Sequence, residues 1–535
     1  MTTITSTITG KNYIGNKLSS NGNKTHKTFN PQLNKENDCD FYEATTEEVN
    51  EAVALAQSAF LEYKNYSGVQ KASFLNAIAD GILDLGDELI QTYMSESGLP
   101  EGRAIGERGR TVFQLRMFAE LVANGSWANA TIDTEVPDRQ PMPKPDLRKI
   151  NIPLGPVVVF GASNFPLAYS TAGGDTASAL AAGCPVIVKS HPMHLGTGEL
   201  IASAIINAAQ QTGMPNGVFS NLNSTGIEVG QQLVTHPKIK AVGFTGSING
   251  GRALFNLAAN REEPIPVFAE MGSINPVIIT PTAIVNRAEE IATTYAGSIT
   301  LGTGQFCTNP GLLLTIENEQ LDSFIKDLGE KTTAIAPQCM LHPNIKKGYL
   351  ANKTSVTAQE GVTVVSEISN DQTTNNYAPT QIATISGADF IKNSKTHLEV
   401  FGPFSLVVRC KNEQELIEII QQLEGQLTGT IIAEDTDYKN LTDIISALQN
   451  RVGRIIFNGV PTGVEVTSAM THGGPYPASS DSRFSAVGIS SIDRWVRPFS
   501  FQDFPNELLP EELKNNNPLQ ILRSVNGNFT KEEIN

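Results

Sequence analysis

The sequence lacks the features that mark several whole classes of protein. Only five cysteines occur in 535 residues, at positions 39, 184, 307, 339 and 410. Their number is odd and no C-x-x-C pair is present, so neither a disulfide framework nor a metal site is expected, and a cytoplasmic, reducing location fits best. No run approaches 18 apolar residues, so no membrane span is expected. The opening MTTITSTITGKNYIGNK has no apolar stretch of the signal-peptide kind. Lys/Arg runs are absent and the net charge is −16, which argues against a nucleic-acid partner. There is no internal repeat and no long low-complexity tract.

What is present is a globular balance, 40% apolar and 18% charged, in a chain long enough for two or three cores. Residues 1 to about 40 read as short strands and turns or a partly mobile arm. Amphipathic helices follow, the first opened by Thr45-Thr46-Glu47-Glu48, the others over Lys71–Leu85 and Gly106–Ala123. The Pro-rich stretch 127–153 reads as extended strands leaving the domain, a natural oligomer contact. From Gly155 the pattern alternates: strand GPVVVFGA, a helix over Leu167–Ala182, strand CPVIVK, a helix over Gly196–Gln211, a strand over Ile239–Phe244, a helix over Ser247–Ala259 and strand PIPVFAEM. A second series runs from NPVIIT near Asn275 to RVGRIIFNG. Repeated βαβ units predict an α/β protein with mostly parallel sheets. The segment 505–535 reads as polar and peripheral.

Four places carry candidate chemistry. Cys307 lies in GTGQFCTNPG, a polar, Gly-rich segment between a helix and a strand where a thiol can be partly exposed and nucleophilic; it also reads as a structural loop cysteine. Cys184, in AAGCPVIVK, is simply a small buried hydrophobe. Glu270 ends an apolar strand before a Gly turn, where apolar neighbours would raise its pKa and suit it to general-base work; the alternative is pairing with a core Arg or Lys. Asn164, in GASNFPLA, follows a buried strand and a Gly turn, placed either to donate to an oxyanion or to cap a helix. In GFTGSINGGRAL a strand enters a Gly-Ser turn that opens a helix, a weak pyrophosphate signal because G-x-G-x-x-G is not matched.

Together, GASNFPLA, Lys189 in VIVKSHP, GFTGS, FAEMGSINP, GQFCTNPG and EVFGPF stand in the order seen in the aldehyde dehydrogenase superfamily, which the chain resembles from about residue 12 to about 510. GGDTASALAAGCPVIVKSHP, IPLGPVVVFGASNFPLA and VPTGVEVTSAMTHGGPYPASSDSR resemble its 2,5-dioxovalerate (2-oxoglutarate semialdehyde) dehydrogenases, with fatty-aldehyde dehydrogenases as close relatives and as the alternative. A non-catalytic homologue is the remote alternative, disfavoured because Cys307, Glu270 and Asn164 are all present.

The resemblance implies a Rossmann-type cofactor domain (1–126 and 154–274), an α/β catalytic domain (275–480), a small β oligomerisation arm (127–153 and 481–505) and a tail (506–535). It implies Cys307 as nucleophile, Glu270 as the base that activates water, and Asn164 as oxyanion donor. Lys189, Ser190, His191, Gly243, Thr245, Gly246, Ser247, Glu399 and Phe401 are implied around NAD or NADP. Relatives that prefer NAD often carry Glu three positions after the lysine; Pro192 stands there, which favours NADP, although 221–230 offers no Arg for a 2′-phosphate. For a substrate carboxylate the candidates are Arg103 and Arg110, seven apart on one helical stretch, with Phe165 and Ser482. The competing reading pairs the arginines of that stretch with Glu101, Glu107 and Glu120. A homodimer or homotetramer is expected.

Overall fold

The structure is a computed structural model and describes residues 8–534. Three sheets organise it. In the first, the strands Val267–Glu270, Ala241–Thr245, Val157–Phe160, Val186–Lys189 and Phe219–Leu222 lie side by side in that order, all parallel; Asn12–Ile14 and Lys17–Ser19 extend the far edge antiparallel. The β-branched runs explain the arrangement. Val157 and Val159 face one buried cluster and Val158 the other, so a strand apolar at every position is covered by helices on both faces. The chain order along the sheet reverses beside Val157–Phe160. Loops leaving the carboxyl ends of this strand and of Ala241–Thr245 therefore diverge and open a crevice, the ligand position of doubly wound sheets.

The second sheet runs Thr363–Glu367, Gln381–Ser386, Phe404–Cys410, Leu312–Ile316, Pro276–Ile279, Gln426–Ile432 and Val452–Phe457, parallel except at its first pair. Leu312 and Leu314 enter one core cluster and Leu313 another, by the same two-faced logic. The helices over the first sheet begin with strong local signals. Thr45 with Glu48 and Ser67 with Gln70 each form a capping box, opening the helices Thr46–Tyr63 and Gly68–Asp84. A 24-residue helix, Glu101–Asn124, then lies across the site and ends at Gly125.

Two elements differ from the sequence reading. The helix expected over Leu167–Ala182 begins only at Gly174. The amides of Leu167 and Ala168 are taken by the Glu107 carboxylate at 2.8 and 3.0 Å, which holds the preceding residues as turns. The segment read as a peripheral tail joins the third sheet, whose order is Val496–Gln502, Leu147–Pro153, Thr131–Asp133, Arg523–Val525 and Asn528–Thr530. Fully buried Arg523 donates to the carbonyls of Lys514, Asn515 and Glu532, while Leu509, Leu513 and Ile521 fill the core of this sheet. Among the described residues no helix is long and apolar enough to cross a membrane.

Candidate functional site

The loop carrying Cys307 is built on left-handed backbone. Gly302, Thr303 and Gly304 have φ of +55°, +62° and +64°. At Gly304 a Cβ would stand 2.3 Å from the carbonyl carbon of Gly402, so only glycine fits. Thr303 holds the same conformation through its hydroxyl, which donates to the Cys339 carbonyl at 3.1 Å. Beyond the turn, Asn275 donates from Nδ2 to the carbonyls of Cys307 (2.8 Å) and Asn309 (2.9 Å), fixing the backbone on both sides of Thr308.

The Cys307 sulfur lies 3.6 Å from Nε2 of His472. Burial and then the Glu270 charge push its thiol up to about 12, against the opposing field of Arg110. His472 is pushed down to about 3, by burial first and then by Arg454 and Arg110, so its ring is neutral.

Glu270 ends the strand Val267–Glu270, and its carbonyl accepts from Gly246 at 3.0 Å. Its carboxyl is buried, and Oε2 has no hydrogen-bond partner among the described residues. Arg494, the nearby core cation, is spent on Asp175 at 2.8 Å. Burial therefore raises Glu270 well above the ordinary carboxylate range, with Arg494 only partly offsetting it. Gly473 lies against Glu270 Oε1 and the adjoining His472 against Cys307, so one short segment touches both groups.

Asn164 is not a helix cap. Its Nδ2 donates to the Gln305 carbonyl at 3.0 Å, tying it to the loop two residues before the sulfur. Asn164 and Cys307 share a cavity of about 320 Å³, lined also by Thr245, Gly246, Ser247, Gly272, Glu399 and Phe401. The fit to a dinucleotide rests on two features of this cavity and on a lysine outside its lining. Exposed Gly246 and Ser247 precede the helix Ile248–Ala259, whose first turn Ser247 caps. Gly272 leaves room for the Glu399 carboxyl, which a Cβ would meet at 2.5 Å. Burial raises that carboxyl to about 7, against the Ser273 amide that bonds it. Lys189 ends its strand with Nζ donating to the Ser224 carbonyl at 2.7 Å. Not every expected cofactor residue faces this space. Gly243 is buried in its strand against Asp175 and Trp495, Ser190 is buried and bonded to Asn221 at 2.8 Å, and His191 stacks on His194.

On the expected substrate side, two of the four arginines have carboxylate partners, and one of those is an expected glutamate. Arg103 meets Glu107 at 3.3 Å and Arg116 meets Asp80 at 2.9 Å, while Arg108 donates to the Gly86 carbonyl. Arg110 has no carboxylate partner among the described residues; it donates to the Tyr169 hydroxyl at 3.0 Å and its Nε is buried without a partner. Arg454, which sequence reasoning missed, adds a second cation whose field reaches Cys307 and Tyr169. Phe165 packs edge-on against Phe306 and Tyr169. Ser482 is exposed beside the Asp481–Arg483 pair and is not among the residues lining the Cys307 cavity. Nothing in local spacing marks His472, Arg454 or Asn275; the partners they meet are distant in the chain or placed by tertiary folding.

The chain is similar to known proteins over most of its length. The profile of the aldehyde dehydrogenase family matches residues 18–486. An alpha-ketoglutaric semialdehyde dehydrogenase of Acinetobacter baylyi is 45% identical over 92% of this chain and 93% of its own. Alpha-ketoglutaric semialdehyde dehydrogenase 2 of Azospirillum brasilense is 46% identical over 97% and 99%. The solved betaine aldehyde dehydrogenase of Staphylococcus aureus superposes with a TM-score of 0.80 at 20% identity, covering 93% of this chain and 96% of that one, a likeness of fold. The match over most of the length places this chain in the aldehyde dehydrogenase family.

Proposed function

We propose that this aldehyde dehydrogenase oxidises 2,5-dioxopentanoate, the semialdehyde of 2-oxoglutarate, to 2-oxoglutarate through a thioester on Cys307. The observation that carries the substrate assignment is the half-buried Arg110, whose Nε is buried without a partner and whose charge reaches the nucleophile, with no carboxylate of its own among the described residues and with Arg454 adding charge to the same region. Two half-buried cations without carboxylate partners among the described residues favour an anionic ligand. The two relatives at 45% and 46% identity, named for this semialdehyde, support the same reading.

The Cys307 sulfur adds to the aldehyde carbon, and the carbonyl electrons move onto oxygen. Asn164 Nδ2 and the Cys307 amide donate to that oxyanion, each donor commonly being worth about 3–4 kcal/mol. The thiol proton passes to solvent water as the sulfur attacks; burial resists this loss and the Arg110 field eases it. Gly246, Ser247, Lys189, Glu399 and Phe401 would hold a nicotinamide dinucleotide, which would supply the acceptor for the hydride lost as the oxyanion collapses. Glu270 takes a proton from the water that attacks the resulting thioester; the C–S bond breaks, the acid leaves and the sulfur is regenerated. NADP is preferred over NAD in this reading. Pro192 puts no acid beside the adenosine ribose, and the Glu43 carboxylate near Lys189 is paired with Lys24 at 2.9 Å.

The protein is further proposed to be cytoplasmic, consistent with its five free cysteines, and to form a dimer or tetramer through the third sheet. Steady-state kcat/KM for 2,5-dioxopentanoate against a C6–C12 aldehyde series tests the substrate. The anionic semialdehyde is expected to lead by at least about tenfold, the value of one charged contact. A lead for the fatty aldehydes would replace this reading with theirs.

A further inference from the structure

We infer that Arg103 and Glu107 form a positioning clamp that sets the oxyanion donor against the nucleophile. They stand one turn apart on the helix Glu101–Asn124 and are joined at 3.3 Å. The Glu107 carboxylate is buried and uses both oxygens. Oε1 accepts from the amides of Leu167 and Ala168 at 2.8 and 3.0 Å; Oε2 accepts from the Tyr93 hydroxyl at 2.6 Å and from Arg103 Nε. It grips the turn three and four residues after Asn164, where a helix would otherwise run. Arg103 grips the other side. Its Nη2 donates to the Asn164 carbonyl at 3.4 Å, and its guanidinium lies 4.4 Å from the Phe165 ring centroid and 4.7 Å from that of Phe306.

Phe165 follows Asn164, and Phe306 precedes Cys307. One cation therefore sits against the immediate neighbours of both groups, and the two rings meet edge-on at 5.6 Å. The Asn164–Gln305 bond spans the same gap. This makes Arg103 a positioning residue and removes it from carboxylate recognition: its charge is matched by Glu107 and its planar group is covered by aromatic rings, whereas Arg110 has neither a carboxylate nor a partner for Nε. A donor aimed at a developing oxyanion loses most of its value with a displacement of about 1 Å, so a clamp of this kind acts on kcat.

The inference rests on Asn164 being the oxyanion donor, and a double-mutant cycle separates the two claims. Asn164→Ala alone is expected to lower kcat by roughly a hundredfold or more. Glu107→Gln and Arg103→Met are each expected to lower kcat by about tenfold in the native background and by less than about twofold in the Asn164→Ala background, because they act through a group already removed. KM for the anionic semialdehyde and for propanal is expected to change alike. Should Asn164→Ala cost little, the oxyanion reading fails. Should Asn164→Ala be severe while the losses simply multiply, the clamp fails. A rise in KM confined to the anionic substrate in Arg103→Met would also overturn the clamp by making Arg103 a substrate ligand. The Glu107→Gln cycle gives an independent answer if Arg103→Met does not fold.

Discussion

The sulfur of Cys307 and Nε2 of His472 are 3.6 Å apart, yet the pair is not built to be a thiolate–imidazolium couple. Burial and two nearby arginines hold the imidazole neutral, down to about 3, and burial with Glu270 holds the thiol up to about 12. Each group resists the charge that the couple would need. Iodoacetamide alkylation of Cys307 is therefore expected to accelerate steadily with pH above 7, with no low-pH plateau. His472→Gln is expected to lower kcat/KM by less than about tenfold, well under the 10²–10⁴ of a lost general base. A plateau below pH 6 would reveal the ion pair.

Glu270→Gln separates the cost of holding the site from its use. In the fold the carboxyl is raised well above its ordinary 4.5. The stability it contributes is thus fully present below about pH 4.5, where both folded and unfolded forms are protonated, and is lost as pH rises toward the folded value. Each unit of difference corresponds to about 1.4 kcal/mol. The variant should match the native protein in Tm near pH 4.5 and exceed it by roughly 2 °C or more at pH 8, measured at one scan rate. A variant less stable at pH 8 would mean that the carboxylate is paired and favourable.

Arg110→Ala and Arg454→Ala test the anion pocket. Loss of a charged hydrogen bond of about 1.5–3 kcal/mol should raise KM for 2,5-dioxopentanoate roughly ten- to a hundredfold, with KM for hexanal moving less than about threefold. Equal effects on both aldehydes would remove the pocket from the account. Arg454 should also carry the smaller effect, because its own hydrogen bonds are the long ones to Met470 Sδ at 3.4 Å and Gly463 O at 3.5 Å, whereas Arg110 is held by the Tyr169 hydroxyl at 3.0 Å.

Cofactor choice is expected to turn on the strand end at Lys189. Pro192→Glu places an acid three positions beyond the lysine, where it would oppose a 2′-phosphate by like-charge repulsion. The ratio of kcat/KM for NADP over NAD should exceed one in the native enzyme and fall by about tenfold or more in the variant, the scale of one unfavourable charged contact. A native ratio well below one would overturn the preference.

How much of this could be read in the sequence depends on the distance over which each feature is encoded. The βαβ alternation was legible because fully apolar strands such as VVVF and VIVK are a direct consequence of burial on two faces. The cysteine loop and the strand-end glutamate were legible because their immediate neighbours, glycines and an apolar run, create their settings. His472, Arg454 and Asn275 were not, since their meaning comes from groups such as Cys307 and Gln426 that only folding brings near. The turn after Asn164 misled for the same reason: a small-residue stretch of good helical composition is held open by Glu107, 60 residues earlier. The closing segment reads as peripheral because its buried residues, Leu509, Leu513, Ile521 and Arg523, are scattered among polar ones rather than gathered in an apolar run.

Acyl transfer to one sulfur, released by one carboxylate, is tested most directly by a single-turnover measurement on Glu270→Gln. Mixed with 2,5-dioxopentanoate and NADP, this variant should give a burst of about one reduced cofactor per active site, then turn over at least a hundredfold more slowly than the native enzyme. Mass spectrometry of the quenched protein should find the acyl group on the peptide that contains Cys307. Undiminished steady turnover, or the acyl group on any other residue, would contradict the account.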